Sequence, residues 1–358
     1  MHEANQSQFE TINLCPLCGG QGADLLFWNY DRLYELPGKF GTYACRRCGL
    51  IRLSPRPKPS AMGAYYPEEY AAYNHHFFSP EGRSGGASFL RRLVRRSVFA
   101  RMGYATGPLH NLHKLLGLVT VPMFQKRATY GYGDIIPKFV PNGRVLEVGC
   151  GDGRFLAILK HHGWWVQGID LSPIAAQRAK DEFDIDVFVG QVEHAKFEPG
   201  IFDHIHLSHV LEHFYDPVET LRQLKTLLKA TGTMFIEVPN AGGAEAEIAG
   251  QLWYGWDAPR HLFMFDPSIL TNAVETAGLH VIKLQTVPCH TFEWAITFKK
   301  EEELGVVSDT RPVILTEEET FEVRNKIDQA EAIYASDQNK GERILCWIGQ
   351  TGTSGKCK

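Results

Sequence analysis

A glycine-rich segment between an apolar run and an amphipathic run restricts the fold of this chain more than any other feature. The segment reads Val145-Leu-Glu147-Val-Gly149-Cys-Gly151-Asp-Gly153, between a predicted strand at 144–148 and a predicted helix at 154–162. Three glycines at alternate positions allow a tight turn and bring backbone amides close to a ligand at the helix N-terminus. This order of elements predicts an α/β fold with a ligand site at the turn.

The following residues continue the alternation of strands and helices. The predicted strands are 165–169, 185–189, 202–207 and 233–238, and the predicted helices are 172–182 and 218–229. Such alternation is typical of a parallel sheet with helices packed on it. We therefore expect a doubly wound, Rossmann-like α/β domain over residues 136–300.

An acidic residue ends the second predicted strand, seventeen positions after Gly153. It is Asp170, in the segment Gly-Ile-Asp170-Leu171-Ser. A carboxylate at this position can accept hydrogen bonds from both hydroxyls of a ribose. After the third predicted strand, Gln191 and Val192 occupy the place where an adenine ring would be held.

Together these segments resemble the class I S-adenosylmethionine-dependent methyltransferases over roughly residues 140–290. The matching pattern is acid-x-Gly-x-Gly-x-Gly, the ribose acid, FDHIHLSHVLEHF, and a strand that ends in EVPN. The resemblance implies a seven-stranded sheet with an antiparallel last strand, and S-adenosylmethionine as cofactor. It places Glu147 near the methionine end and Asp170 at the ribose, while Gln191 replaces the usual acid of the third motif. The residues expected to bind the cofactor are Glu147, Gly149, Cys150, Gly151, Gly153, Asp170, Leu171, Gln191, Val192 and Ser208. A nicotinamide-dependent dehydrogenase is the alternative, and its fingerprint usually lacks the leading acid.

Two cysteine pairs near the N-terminus predict a metal-bound module. They are Cys15-Pro-Leu-Cys18 and Cys45-Arg-Arg-Cys48, each followed by a glycine. Two intervening residues let both thiolates of a pair reach one ion, and the glycine lets backbone amides approach the sulfurs. Two such pairs complete a tetrahedral four-thiolate site, the closed geometry of structural Zn²⁺. We therefore predict a zinc-ribbon module over residues 1–60 that does not catalyse; four unrelated thiols are the alternative.

A cluster of titratable residues follows the fourth predicted strand. Residues at the carboxyl end of a strand in an open parallel sheet face the ligand crevice, and here they read Ser-His209-Val-Leu-Glu212-His213. If a helical turn starts at His209, these three side chains share one face. We predict His209 or His213 as general base and Glu212 as its partner. His261 is expected to join them from the aromatic segment 253–261, a loop of the kind that commonly covers the substrate. The alternative is structural: Glu212 and His213 would cap and pack the following helix.

The same cluster suggests a metal. Ubiquinone-biosynthesis O-methyltransferases and small-RNA 2′-O-methyltransferases carry a similar Glu-x-x-Glu-His segment that binds a divalent cation. In this chain His209 replaces the first Glu, whereas Glu212 and His213 match. A second divalent cation held by His209, Glu212, His213 and His261, acting as a Lewis acid at the acceptor oxygen, is therefore a further hypothesis.

Several segments together look like those of a bacterial group tied to surface-polysaccharide, sugar or secondary-metabolite biosynthesis. They are CGLIRLSPRP, HVLEHFYDP, EVPN and W-x-D-x-P-R-H. This resemblance implies a small-molecule or sugar-linked acceptor, which we expect to be methylated at oxygen; a carbon acceptor stays open, because sugar C-methyltransferases share the zinc module. The rival is a non-catalytic zinc-ribbon binding protein on a degenerate methyltransferase fold, and the intact glycines and Asp170 argue against it.

A basic region connects the two predicted domains. The chain has a net charge of −4, yet residues 82–133 contain nine Lys or Arg and no acid. We expect a helical linker or cap over 61–135 that contacts an anionic membrane surface or a phosphate-bearing substrate. A solvated helix whose arginines pair with the acidic remainder is the alternative, and nucleic acid is a weaker third option because the chain as a whole is not basic.

The ends of the chain give the remaining predictions. The N-terminus lacks the pattern of a signal peptide, and no apolar run reaches the length of a transmembrane helix. We expect a cytoplasmic protein, with peripheral attachment at the inner membrane face as an option, and reduced thiols. Residues 301–358 read as an acidic, helical C-terminal extension. The final segment lacks the first glycine of a phosphate loop, and we assign it no function.

Overall fold

The structure is a computed structural model, and it describes residues 6–67, 96–104, 109, 111–116, 118, 135–305 and 311–350. Its contacts divide the chain into two compact units. The cysteine unit comprises residues 1–68, 208–225 and 236–358, and the glycine-loop unit comprises residues 69–207 and 226–235. Most of the basic region 82–133 and the tail after Gln350 lie outside the described residues, so the predictions made for them stay predictions.

The N-terminal segment of the cysteine unit consists of short strands. The strands are β1 (Phe9–Glu10), β2 (Ala23–Asn29), β3 (Phe40–Cys45), β4 (Ile51–Ser54) and β5 (Arg56–Pro57). The short helix α1 (Pro59–Met62) follows, with 3₁₀ turns at Gln6–Gln8 and Gly63–Tyr65. Strands β2, β3 and β4 pair antiparallel in succession, and β1 pairs with β5. The cysteine pairs lie at the turns before β2 and between β3 and β4.

The central segment alternates strands with helices, as expected. It contains β6 (Arg144–Val148), α2 (Arg154–His161), β7 (Trp165–Asp170), α3 (Pro173–Phe183), β8 (Val187–Val189), a 3₁₀ turn at Val192–His194, and β9 (Phe202–Ser208). Two local signals set the start of helix α3. Ser172 caps the helix by accepting a hydrogen bond from the amide of Ala175, and a proline occupies the first turn. Apolar side chains of β6 and α2, such as Leu146, Leu156 and Leu159, form the buried core of this unit.

The remaining elements follow in chain order. They are a 3₁₀ turn at Leu211–His213, α4 (Pro217–Leu227), β10 (Leu228–Pro239), α5 (Ala244–Ala249), 3₁₀ turns at Gly250–Leu252 and Tyr254–Trp256, β11 (Phe263–Met264), α6 (Pro267–Thr276), β12 (Leu279–Val287), α7 (Phe292–Leu304), α8 (Glu317–Ser336) and β13 (Arg343–Gln350). Helix α8 begins with a capping box, in which Thr316 and Glu319 bond reciprocally to each other's backbone amides. None of the helices in the described ranges is long and apolar enough to cross a membrane.

Seven strands form one mixed sheet in the order β12-β13-β10-β9-β6-β7-β8. The pairs β6/β7, β6/β9 and β7/β8 are parallel, and β12/β13 is antiparallel. This order and these directions confirm the predicted Rossmann-like α/β fold with seven strands and an antiparallel last strand.

The last strand of the sheet comes from the C-terminal segment. The expectation of a purely helical extension over residues 301–358 is wrong for the described part, because helix α8 is followed by strand β13. Strand β13 pairs with β12 from Arg343 opposite Val287 to Gln350 opposite Leu279. Its side chains Ile344, Leu345, Cys346 and Ile348 are buried. A short apolar run becomes a strand when a neighbouring strand is available to complete its hydrogen bonds.

A second sheet extends the cysteine-bearing segment beyond the expected boundary at residue 60. Its order is β11-β4-β3-β2, so a strand from far along the chain forms one edge. Phe263 lies opposite Arg52 and Met264 opposite Ile51. The cysteine-bearing sheet therefore continues into the segment that carries His261.

Candidate functional site

The glycine loop after β6 adopts a backbone that only glycine takes without strain. Gly149, Gly151 and Gly153 have φ values of 70°, 51° and 76°, all in the left-handed region. A Cβ at Gly153 would also lie 3.0 Å from the Cβ of Ala179 in helix α3. The three glycines are thus required by local geometry, as the sequence predicted.

The amides of this loop are used differently from our expectation. Gly149 N and Cys150 N both donate to the carbonyl of Ile169, at 2.7 and 3.1 Å. Gly151 N donates to Oδ2 of Asp170 at 2.8 Å. These donors hold the loop against the end of β7, so the glycines serve close packing and a tight turn more than direct donation to a ligand.

Asp170 is fixed at the end of β7 by two backbone amides. Its Oδ1 accepts from Ser172 N and its Oδ2 from Gly151 N, both at 2.8 Å. The side chain is largely buried, and burial raises the pKa of the carboxyl although these amide hydrogen bonds oppose the shift. A carboxylate has about four acceptor positions, so each oxygen keeps capacity for a further donor. This arrangement fits a ligand with two neighbouring hydroxyls.

Glu147 offers a second acceptor in the same unit. Its carboxyl is buried, and Oε2 has no hydrogen-bond partner among the described residues. Burial, followed by repulsion from Asp170 and Asp152, raises its pKa well above the usual value. A buried oxygen without a donor is costly, so this site is suited to a ligand that brings a donor or a positive charge.

The other predicted cofactor residues of the glycine-loop unit divide into exposed and buried side chains. Leu171 and Gln191 are exposed, whereas Val192 is buried. Cys150 is buried in the hydrophobic core, and a Cβ at Gly168 would lie 2.5 Å from its Sγ. The thiol of Cys150 therefore faces the core, and burial raises its pKa. An exposed leucine beside an anchored acid offers an apolar contact for a planar ring.

His209 begins the second group of candidate residues, which belongs to the cysteine unit. Its φ is 54°, an uncommon value for a residue with a side chain. Its amide donates to the carbonyl of Glu237 at 2.9 Å, and the hydroxyl of Ser208 donates to Oε2 of the same residue at 2.7 Å. Backbone strain of this kind concentrates at functional positions. Ser208, expected among the cofactor residues, thus belongs to this group in the structure.

Two carboxylates face the imidazole of His209. Its Nδ1 lies 3.6 Å from Oε1 of Glu212, and its Nε2 lies 3.8 Å from Oε1 of Glu237. Desolvation opposes protonation of the ring, but the two carboxylates outweigh it and raise its pKa. The side chain is 44% exposed, so His209 combines access to solvent with a stabilised imidazolium.

Glu212, His213 and His261 form a compact cluster, in which one ligand atom of each lies within 4.8 Å of the others. Glu212 is fully buried, and neither carboxylate oxygen has a hydrogen-bond partner in the described part of the chain. Burial alone would raise its pKa, but the histidines, His209 first, outweigh this and lower it. The expected helical turn at His209 is instead a 3₁₀ turn at Leu211–His213. The cluster therefore arises from a tight turn and a distant loop.

The two histidines of this cluster are held in one tautomer by backbone carbonyls. Nδ1 of His213 lies 2.9 Å from the carbonyl of Arg260 and 3.1 Å from the hydroxyl of Tyr66, and Nδ1 of His261 lies 2.8 Å from the carbonyl of Gly255. A carbonyl can only accept, whereas a hydroxyl can accept or donate, so the carbonyls assign the proton to both Nδ1 atoms and the Tyr66 hydroxyl acts as a second acceptor at His213. Both Nε2 lone pairs are then available. Burial and the neighbouring His261 lower the pKa of His213 to about 4. His213 is therefore neutral at physiological pH.

Two members of this site were missed by the sequence analysis. Glu237 lies near the end of strand β10, at the start of the EVPN segment, and also pairs with Arg343 of the last strand. Arg260 is fully buried between the carboxylates of Asp31 and Asp257. Glu237 could have been predicted as a site residue, because it is an acid near the carboxyl end of a predicted strand. The pairing of Arg260 with Asp31 could not, because no local pattern connects the two residues.

The four cysteines of the N-terminal segment converge. Their sulfurs lie within 4.8 Å of one another, with 3.5 Å between Cys15 and Cys48 and 3.6 Å between Cys18 and Cys45. Sulfurs bound to one tetrahedral Zn²⁺ at 2.3 Å lie about 3.8 Å apart, so the spacing fits this ion. Burial opposes ionisation of Cys45, but the amides of Cys48 and Arg47 outweigh it and lower its pKa to about 6.

Comparison with known proteins identifies the domain type. Residues 124–284 match the family model described as "Methyltransferase domain". The "Ubiquinone biosynthesis O-methyltransferase" of Xanthomonas campestris pv. campestris (strain B100) is 34% identical over 116 residues, which cover 31% of this chain and 48% of that protein. The protein of the same name from Ralstonia nicotianae is 31% identical over 156 residues, covering 40% and 65%. The chain thus spans about half the length of the curated relatives that it matches first.

Among solved structures, the chain is similar to a SAM dependent methyltransferase from Archaeoglobus fulgidus. The sequence identity is 20% and the TM-score 0.40, covering 64% of this chain and 93% of that one. The family match and the relatives confirm the prediction of a methyltransferase domain in this chain.

Proposed function

We propose that this protein is an S-adenosylmethionine-dependent methyltransferase that methylates an oxygen of a small-molecule or sugar-linked acceptor. The observation that carries the proposal is Asp170, which two amides anchor while both of its oxygens keep capacity for further donors. Glu147, with a buried and unpartnered oxygen, suits the cationic methionine end of the cofactor. Leu171 offers an exposed apolar contact for adenine, and Gln191 replaces the usual acid at the adenine amino group.

S-adenosylmethionine, when bound, supplies an electrophilic methyl group on a sulfonium. The chain must then bind the acceptor and take up the proton of its hydroxyl. We assign this proton to His209, because its ring is partly exposed and the carboxylates Glu212 and Glu237 stabilise its charged form. His213 is the weaker candidate, since its lowered pKa disfavours a stable imidazolium.

The acceptor class rests on two considerations. The curated relatives that match this domain carry the name O-methyltransferase, which favours oxygen as the methylated atom. The sugar-linked acceptor rests on the resemblance of the N-terminal cysteine module and the segment W-x-D-x-P-R-H to the bacterial group named above. Phosphate groups or an anionic membrane remain proposed partners of the basic region 82–133.

We assign Zn²⁺ to the four cysteines, in a structural role. Four thiolates complete the coordination shell and leave no position for a substrate or a water molecule. The glycines after each pair, Gly19 and Gly49, have φ values of 69° and 82°, which lets the chain turn tightly at the sulfurs. Zinc would then hold the turns that carry strands β2 and β3.

Calorimetric titration with S-adenosylhomocysteine tests the cofactor assignment. We expect micromolar binding by the wild-type protein. In Asp170→Asn, the new amide group faces either Gly151 N or Ser172 N as a second donor, and the ribose loses a charged acceptor. At about 1.5–3 kcal/mol for a hydrogen bond to a charged group, the affinity should fall at least about tenfold.

Asp186→Asn is the matched control for this titration. Asp186 is an exposed acid of the same unit that pairs only with Lys180 among the contacts described, and its loss should leave the affinity unchanged. No binding by folded, zinc-loaded wild-type protein would refute the methyltransferase assignment. It would favour the rival, a non-catalytic binding protein on a degenerate fold.

A second candidate mechanism uses a divalent cation at Glu212, His213 and His261. The observation that favours it is the pair of unpartnered, buried oxygens on Glu212, next to two Nε2 lone pairs whose Nδ1 protons are bound by carbonyls. Carbonyls that fix the tautomer of a histidine are typical of metal sites. These residues would bind Mg²⁺, Mn²⁺ or Zn²⁺, which would act as a Lewis acid at the acceptor oxygen.

Direct metal binding distinguishes the two mechanisms. Wild-type protein with its structural zinc is titrated with Mn²⁺, and binding is followed by electron paramagnetic resonance. The metal mechanism predicts one site that disappears in Glu212→Gln and persists in Glu219→Gln, an exposed acid of helix α4. Absence of saturable binding in the wild type would eliminate the cation and leave the histidine base.

A further inference from the structure

Arg260 carries a buried charge that is completely surrounded by partners. Its guanidinium makes two parallel hydrogen bonds to Asp31, Nη1 to Oδ2 at 2.9 Å and Nη2 to Oδ1 at 2.7 Å. Its Nε and Nη2 also donate to Oδ1 of Asp257, at 2.9 and 2.6 Å, and Nη1 donates to the carbonyl of Tyr65 at 3.0 Å. The side chains of Arg260 and Asp31 are both fully buried. Two parallel hydrogen bonds of this kind fix both the position and the orientation of the guanidinium relative to the carboxylate.

The carboxylate of Asp31 is itself immobilised. Its Oδ1 accepts from the amides of Leu33 and Tyr34, at 3.1 and 3.0 Å, so the loop after strand β2 is wrapped around it. Strand β2 runs from the first cysteine pair, Cys15 and Cys18, to this loop. Asp31 therefore connects the cysteine-bearing sheet to Arg260, which is 229 positions away in sequence, and fixes where the guanidinium lies relative to that sheet.

The main chain of Arg260 contacts one candidate histidine and is bonded to the other. Its carbonyl accepts the Nδ1 proton of His213 at 2.9 Å, and His261 is the next residue. A second connection supports the same placement, since Leu53 N donates to the carbonyl of Leu262 at 3.0 Å and Leu262 N donates to the carbonyl of Glu212 at 2.8 Å. Both histidines and Glu212 are thus held by contacts that originate in the cysteine-bearing segment.

A buried ion pair is a poor source of stability, because desolvation offsets most of the attraction. Its value lies in geometry, since an arginine fork accepts a carboxylate in few orientations. We propose that Asp31 is a positioning residue, which acts through Arg260 to hold His213 in its Nδ1-protonated tautomer and to orient His261. This inference rests on the proposed function, because it takes these histidines to serve the reaction. The N-terminal module then has two roles: it binds zinc as proposed, and it holds the candidate histidines in position.

The test measures the tautomer of His213 directly. Full-length, zinc-loaded protein with ¹⁵N-labelled histidine is compared by long-range ¹H–¹⁵N correlation spectra, without added divalent cation. In Asp31→Asn an amide group faces the guanidinium, and the carbonyl of Arg260 loses its fixed position. Loss of one hydrogen bond worth about 0.5–1.5 kcal/mol should lower the ratio of Nδ1-protonated to Nε2-protonated His213 about two- to tenfold.

Glu319→Gln is the matched control. Glu319 pairs with Lys300 in the same unit, and none of the contacts described joins either residue to the loop at residues 31–34 or to His213, so its replacement removes an ion pair and should leave the tautomer unchanged. Arg260→Lys is the second variant, which keeps the buried charge but lacks the two parallel donors of the guanidinium. It should shift the tautomer in the same direction as Asp31→Asn, and it provides the test if Asp31→Asn does not fold. An unchanged tautomer in a folded Asp31→Asn or Arg260→Lys protein overturns the proposal. So does an equal shift in Glu319→Gln.

Titration with S-adenosylhomocysteine separates this proposal from the proposed function. The residues that we assign to the cofactor belong to the glycine-loop unit, so Asp31→Asn should bind with wild-type affinity. Failure of the wild type to bind would refute the methyltransferase activity and leave the positioning contact standing as a structural fact. Wild-type binding with an unmoved His213 tautomer would refute only the positioning role.

Discussion

Replacement of His209 by glycine and by alanine should separate backbone strain from chemistry. Both variants remove the imidazole, and both keep the amide that donates to the carbonyl of Glu237. The difference between them therefore reports on the φ of 54° alone. A residue with a Cβ costs roughly 1–2 kcal/mol in the left-handed region. Glycine avoids this cost but gives up about 0.4–1 kcal/mol through the greater freedom of its unfolded chain.

The balance favours glycine. We expect His209→Gly to be more stable than His209→Ala by about 0.5–1 kcal/mol, measured by urea unfolding of zinc-loaded protein and followed by circular dichroism. In thermal unfolding the same difference corresponds to about 2 °C for a unit of this size. Equal stabilities, or a more stable alanine variant, would refute the conclusion that the backbone at His209 is strained.

The chemical half of this experiment needs an acceptor that the wild type methylates. Both variants should then lose turnover to the same extent, while their affinity for S-adenosylhomocysteine stays at the wild-type value. The glycine variant leaves room for a small base, so added imidazole should restore part of its activity. Turnover that survives in both variants would exclude His209 as the base.

Two further predictions concern zinc and pH. Cys18→Ser should abolish the zinc content measured by mass spectrometry under native conditions and lower the stability by more than about 3 kcal/mol, because a structural ion contributes its binding energy to folding; retention of zinc would contradict the four-cysteine site. Burial lowers the pKa of His204 in the folded state to about 3, from 6.5 in the unfolded chain, so stability is lost as the pH falls below 6.5. Between pH 6.5 and pH 5 this histidine should cost about 2 kcal/mol, and His204→Gln should flatten the unfolding free energy over that interval by the same amount.

The glycine loop and the cysteine pairs could be predicted from sequence because their geometry is local. Left-handed φ values at Gly149, Gly151 and Gly153 follow from the close spacing of glycines between a strand and a helix. The convergence of Cys15 with Cys48 follows the expectation from two pairs with the same two-residue spacing, each followed by a glycine. Each of these predictions depends on residues that are neighbours in the chain, or on one coordination geometry.

The use of the loop amides could not be predicted in the same way. The motif indicates that amides are close together, but not which acceptor they meet. In the fold, the carbonyl of Ile169 and the carboxylate of Asp170 take the amides of Gly149, Cys150 and Gly151. The parallel register of β6 beside β7 decides this, because it brings the end of one strand under the turn that follows the other.

The sequence by itself determined the α/β class, the methyltransferase domain, the glycine loop and the convergence of the four cysteines, since periodicity and short motifs encode them. Only the tertiary structure decided that Arg343–Gln350 completes the sheet, that His209 precedes a 3₁₀ turn, and that Asp31 holds Arg260. These features join residues up to 229 positions apart. A buried charge finds its partner through the packing of the whole unit, and no local pattern of residues records that choice.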